Sequence, residues 1–375
     1  MMARLLVLAA SIIAAVVFVS VAPAPRVAQP RTPGDFRALF EQYRHGDADA
    51  AVIEFARWDV RRVNNEARLP AGVYEAGVND STSLAALALL HTEALFKRGL
   101  TAADRTDLGE NDLHYDRAFR IAVDLLRRAN AEGDSGLRAF CRSWYIINVY
   151  VWTARRSFQR ADGLVRTGKK AFGDDAQFLL AAGAFAEAKM VRRAGEAPDV
   201  SVVYRAITTS HGAFGPERVD AEAYLRRALA VDPTLFEARL RLGRVLYLLD
   251  QREEARSELE RALADARNAR HDLAAYMAAL FLGQLDQEAG RVDAARASYE
   301  LAISIYPNGQ PAYLALGQLV VASGRPDEGW AIARRVFGDG ASRAHPDLRP
   351  WNWYRDVTAS ELAAWLHPMR EQVRR

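Results

Sequence analysis

Seven histidines, one cysteine and a few acidic and hydroxyl clusters are the material from which this chain could build a reactive site. The histidines are His45, His91, His114, His211, His271, His345 and His367. Two metal ligands share a helix face when they stand three or four residues apart, and no pair of these histidines does. In His91-Thr92-Glu93 the carboxylate is two residues from the imidazole, which sends the two side chains to different sides of a helix. Asp104, Asp107, Glu110 and Asp112 form an acidic run without the alternating ligands and central glycine of a calcium loop. They suit a solvated loop of helix-capping residues. Ser210-His211-Gly212 juxtaposes a hydroxyl and an imidazole, but sequence neighbours are not a nucleophile and base in register, and no Gly-x-Ser-x-Gly turn presents a serine. Gly183, Gly243, Gly283 and Gly317 lie in helical apolar patterns with no Gly-Lys-Ser/Thr and no preceding strand, so they do not form a phosphate cradle. The lone Cys141 excludes an intramolecular disulfide and a cysteine-built zinc site, and reads as a small core residue. These residues lead us to expect no catalytic site, no cofactor and no metal.

The elements that would position any site come next. Of the 375 residues, 50% are hydrophobic and 26% charged, enough for a sizeable core and too apolar for wholesale disorder. The net charge of +3 comes from 50 basic and 47 acidic residues that are interspersed, which argues against a nucleic-acid partner. Residues 1–30 have the order of an export signal: one charge at Arg4, an apolar run from Leu5 to Ala22, then a Pro/Ala-rich stretch. The small residues of Ala22-Pro23-Ala24 suit cleavage, while Pro25 disfavours it. As a helix, the apolar run spans ~27 Å, close to a bilayer core. The expectation is export to the periplasm or beyond with cleavage. The alternative is an uncleaved inner-membrane anchor.

Beyond residue 33 apolar residues recur every three or four positions, and no alternating strand pattern of useful length occurs. The helices also repeat. From Gly283, seven residues on stands Gly290, twelve on Ala295, sixteen on Tyr299 and nineteen on Ala302. From Gly317 the same offsets give Gly324, Gly329, Ala333 and Val336, and from Gly243 they give Asp250, Ala255, Leu259 and Ala262. Gly283 and Gly317 are 34 residues apart. The spacing has a packing logic. Small residues let two helices approach, a large residue sixteen on fills the gap beside them, and Asp232-Pro233 or Tyr306-Pro307 ends the second helix.

This pattern resembles the tetratricopeptide repeat, a helix–turn–helix unit of 34 residues. The resemblance is good from about Leu235 to Phe337 and moderate from about Arg142 to Val231, where Val149 takes the glycine slot and the partner helix of Gly183 is displaced to Ala221–Leu229. It is weak in the pairs Ser83–Arg98 with His114–Arg128 and Phe36–Tyr43 with Ala50–Trp58. Arg239 and Ala279 stand where the family often has a large aromatic. The resemblance implies an all-α fold, a right-handed superhelix of such repeats. The expected organisation is a signal or anchor with linker at 1–30 and degenerate helical pairs at 34–135. An array at 136–340 follows, with an insertion near 194–216, and then a C-terminal cap at 341–375 whose final helix is N-capped by Ser360.

The resemblance also implies a function. In the family the first helices line a concave face, which here would carry Ile146, Tyr150, Leu180, Glu187, Leu240, Arg244, Tyr247, Leu280, Gln284, Gln287, Leu314 and Gln318. Aliphatic contacts with interspersed Gln, Arg and Glu suit a protein segment. The Lys/Asn clamp for a terminal carboxylate is missing. The expectation is a non-catalytic scaffold or adaptor binding a protein or peptide partner in that groove. The alternative is a self-assembling component of an envelope complex. An insertion or C-terminus folded across the concave face would favour self-contact. An open groove would favour the adaptor.

Overall fold

The computed structural model describes residues 33–56, 78–101, 112–195, 217–335, 354, 357 and 359–374. These residues form helices and turns, with no strand among them. Residues 1–30 and 341–353, the greater part of the 194–216 insertion and Trp58 lie outside the described residues. No described helix is long and apolar enough to cross a membrane. The chain divides between Val123 and Asp124 into two compact units.

The first unit holds α1 (Pro33–His45), α2 (Ala48–Ala56), α3 (Ser81–Thr101) and the start of α4 (Asp112–Glu132). Asp47 and Asp80 accept the backbone N–H groups of Ala50 (3.0 Å) and Ser83 (2.8 Å), which satisfies donors that the first turns of α2 and α3 leave open. Every residue of α3 from 83 to 96 is buried, so this helix is covered on all sides. Its polar members are partnered: the Tyr43 hydroxyl donates to Glu93 at 2.8 Å. His91 and His114, far apart in sequence, meet Nδ1 to Nδ1 at 2.9 Å beside the Phe55 ring. One ring must donate and the other accept, so the two Nδ1 atoms share a single proton.

The second unit is a stack of helical hairpins. They are α5 (Ser135–Ala154) with α6 (Phe158–Phe172), α7 (Ala176–Gly195) with α8 (Glu217–Val231), and α9 (Phe236–Leu248) with α10 (Arg252–Asn268). Then come α11 (Asp272–Glu288) with α12 (Val292–Ile305) and α13 (Gln310–Ala322) with α14 (Pro326–Arg334). Neighbouring hairpins contact through both helices, and the apolar faces merge into one core running from Leu179 to Val320.

Close approach inside each hairpin has one recurring cause. A Cβ placed on Gly183 would lie 2.6 Å from a Leu225 methyl, and one on Gly243 would lie 2.7 Å from Leu259 Cγ. On Gly283 it would overlap the Tyr299 ring. Tyr299 and Leu259 are each sixteen residues past their glycine, and Leu225 is the same position displaced by the insertion. In the last hairpin the residue sixteen on is only Ala333. The helices close further there, until a Cβ on Gly317 would meet the Gly329 carbonyl at 2.8 Å. Where the sequence has Arg239 in a family aromatic slot, the guanidinium is mostly buried and bonds Asp265 at 3.0 Å and Glu258 at 3.2 Å, so an ion pair replaces the ring.

The hairpin turns repeat as well. Seven residues past Gly243, Gly283 and Gly317, the backbone turns left-handed at Asp250 (φ 60°), Gly290 (φ 73°) and Gly324 (φ 82°). Seven past Val149, Arg156 does the same at φ 59°. A residue with a Cβ is disfavoured in that region by about 1–2 kcal/mol. Arg156→Gly is therefore expected to raise stability by about 1 kcal/mol, read as a higher urea midpoint with unchanged slope.

Cys141 lies fully buried in α5. Burial pushes its thiol up to about 12, so almost none is thiolate near neutrality. Iodoacetamide at pH 8 is expected to label native Cys141 more than about a hundredfold slower than the urea-unfolded chain.

The C-terminal helix α15 (Ala359–Arg374) corrects one expectation. Ser360 lies inside its first turn rather than at the N-cap. In the last hairpin Trp330 is 61% exposed. On the first hairpin Trp365 of α15 packs against Tyr150 of α5 with tilted rings (centroids 5.7 Å apart), and the Gln372 side chain donates to the Gly136 carbonyl at 3.0 Å. The physical reason lies in the rings. Trp365 finds the Tyr150 ring, and Tyr354 finds Glu187, Arg241 and Arg244.

Candidate protein-binding groove

The first helices α5, α7 and α9 bring one face of the second unit to a cavity of about 1190 Å3. Ile146, Tyr150 and Phe158 supply apolar lining, Glu187 and Arg244 supply charge, and Trp365 of α15 adds a further ring. Such a volume exceeds that of most small-molecule pockets, and its mixed lining suits a polypeptide.

At one end of this cavity is a buried polar cluster. Glu187 of α7, only 2% exposed, accepts from Arg241 of α9 at 3.0 Å, and its other oxygen lies 3.4 Å from Arg244. Arg241 also pairs with Glu237 one turn earlier at 3.1 Å. An isolated carboxylate buried to this extent would be strongly disfavoured, and the two guanidiniums are what permit it. Into this cluster comes Tyr354. Its hydroxyl donates to Glu187 Oε1 at 2.6 Å, and its carbonyl accepts from Arg241 Nη2 at 2.9 Å. The Arg241 and Arg244 guanidiniums lie 4.4 and 5.1 Å from the ring centroid, within cation–π range. Phe281 of α11 meets the ring edge-on at 5.6 Å. Burial, and then the Glu187 carboxylate, push the Tyr354 phenol well above its ordinary range, so it stays protonated and donating. A raised value contributes stability in full below the ordinary tyrosine pKa of about 10 and loses it above, so the contact is indifferent to pH near neutrality.

The structure distributes the twelve sequence-derived groove residues among several surroundings. Ile146, Tyr150, Glu187 and Arg244 line the cavity. Leu180, Leu240 and Leu280 do not face it, being at most 1% exposed in the core. Each stands three residues before its glycine, a position buried between successive hairpins. Leu314 holds the same position in α13, which no described hairpin follows, and it is 43% exposed. Tyr247 is half-buried and donates to Glu288. Gln284 and Gln287 are half-buried, and Gln287 accepts from the Tyr299 hydroxyl at 2.8 Å. Gln318 is exposed.

Sequence reasoning missed Arg241, Phe281 and Tyr354. Arg241 and Phe281 share a register, two residues before their glycines, and both meet the Tyr354 ring. Nothing in the spacing announces Tyr354.

Residues 218–280 match one tetratricopeptide repeat model and residues 278–308 match a second. Among solved structures the chain is similar to the crystal structure of MamA, at 24% identity over 49% of this chain and 90% of that one, with a TM-score of 0.35. It is also similar to the crystal structure of PilW, described as a widely conserved type IV pilus biogenesis factor. Here the identity is 15% over 69% of this chain and 96% of that one, with a TM-score of 0.44. No curated protein matches the chain.

Proposed function

We propose that this chain, which carries tetratricopeptide repeats, is a non-catalytic scaffold that holds a segment of a partner protein along the face lined by Ile146, Tyr150, Glu187 and Arg244. One observation carries the reading: that face already holds a polypeptide, the chain's own Tyr354 and α15, and the same occupancy favours the alternative of self-contact over a permanently open groove. The contacts are those of segment recognition. A backbone carbonyl is taken by Arg241, one aromatic ring packs against Tyr150 and another is enclosed beside Glu187. A partner reaches these groups by displacing the resident segment, so its apparent affinity falls by the fraction of molecules in which the groove is closed. The order of charge, apolar run and small residues in 1–30 supports placing this activity outside the cytoplasm.

The test is photo-crosslinking in intact cells with a photoreactive residue at Thr153, which lines the cavity, or at Arg261, which is exposed on α10. A defined protein adduct from Thr153 and none from Arg261 is the expected result. Equal adducts from both positions, or none from Thr153, would move partner binding off this face.

A further inference from the structure

We infer that Glu187, Arg241, Arg244 and Phe281 form a seat that selects an unmodified tyrosine, and that the partner segment entering the groove carries a tyrosine in the place of Tyr354. This rests on the groove reading above and names the chemistry of its occupant.

The charges make the first argument. Two guanidiniums, Arg241 and Arg244, face two carboxylates, Glu187 and Glu237, so these four side chains are balanced and the occupant need bring no charge. The hydroxyl makes the second. Glu187 is buried, and Tyr354 gives one of its oxygens a donor at 2.6 Å. Phenylalanine fills the same volume but withdraws that donor from a buried carboxylate. A hydrogen bond to a charged group is worth about 10- to 100-fold in affinity. Phosphotyrosine replaces the donor with two negative charges aimed at Glu187, which adds repulsion and bulk. Tryptophan and histidine do not place a donor at the reach of a phenol. The ring position makes the third argument. Guanidiniums at 4.4 and 5.1 Å and the Phe281 edge at 5.6 Å enclose an aromatic side chain from separate helices. Arg241 reads the adjoining main chain through the Tyr354 carbonyl, a contact that any peptide bearing the side chain can repeat.

The test uses a fluorescent synthetic peptide of residues 350–374 in three forms, with Tyr354, with Tyr354→Phe and with phosphotyrosine at 354. Each is titrated into the wild-type chain and into full-length chains carrying Tyr354→Ala or Tyr354→Phe. The tyrosine peptide is expected to bind both variants at least about tenfold more tightly than the wild-type chain, because their resident segment competes less well. It is also expected to exceed the phenylalanine peptide by about 10- to 100-fold, with the phosphotyrosine peptide weakest. Should Tyr354→Ala fail to fold, the nearly isosteric Tyr354→Phe chain gives the same ranking. Equal binding of tyrosine and phenylalanine peptides, or tightest binding of the phosphopeptide, would overturn the selection and leave the groove reading standing. No binding of any peptide to either variant would overturn both.

Discussion

Gly283→Leu is expected to remove most of the stability of the second unit. The added Cβ alone overlaps the Tyr299 ring, and Tyr299 is 1% exposed with its hydroxyl fixed on Gln287. Neither neighbour can yield without separating α11 from α12. Overpacking of well-filled cores costs about 1–3 kcal/mol, and a clash that begins at the Cβ belongs at or above the top of that range. The check is a urea titration followed by circular dichroism, where the midpoint should fall by more than a third. The chain supplies its own control. Gly163 lies inside α6, with nothing within 4 Å of a Cβ placed there. Gly163→Ala is expected to stabilise by about 0.5–1 kcal/mol, because alanine loses less backbone entropy in a helix. A Gly283→Leu variant as stable as the parent would disprove the inter-helix register.

The second large effect concerns Glu187. Glu187→Ala leaves the paired guanidiniums of Arg241 and Arg244 short of a counter-charge in a buried place, and such losses cost about 3–5 kcal/mol. Removing the Tyr354 hydroxyl alone, with Tyr354→Phe, is expected to cost about 1.5–3 kcal/mol, since its acceptor is a charged carboxylate. The pair should not add. Combining Glu187→Gln with Tyr354→Phe is expected to show a coupling of about 0.5–3 kcal/mol in a double-mutant cycle of urea unfolding. A coupling near zero would mean that the hydroxyl–carboxylate bond contributes nothing to holding the C-terminal segment.

What could be read from residues alone follows from periodicity. A helical hairpin that meets only its neighbours repeats its constraints, so Gly243 and Gly283 announce each other, and Asp250 and Gly290 mark equivalent turns. The pairing of α7 with α8 was legible for the same reason, since Ala221 keeps the 34-residue step to Ala255. The groove was less legible. Leu180, Leu240 and Leu280 have the spacing of face residues, but that position is covered when another hairpin follows, which a single repeat does not reveal. Contacts outside the period were invisible. His91 and His114 are 23 residues apart, Glu187 and Arg241 are 54, and Glu187 and Tyr354 are 167. These depend on how elements of unlike sequence come together, and no local pattern encodes that.

The bond between Tyr354 and Glu187 also changes how the second unit comes apart. Stacked repeats ordinarily lose structure from their ends inward, each hairpin held only by its neighbour. Here the chain between those two residues is closed into a ring that contains α8 to α14, so the end of the chain is anchored on α7, near the start of the stack, and releasing that one bond opens the whole loop.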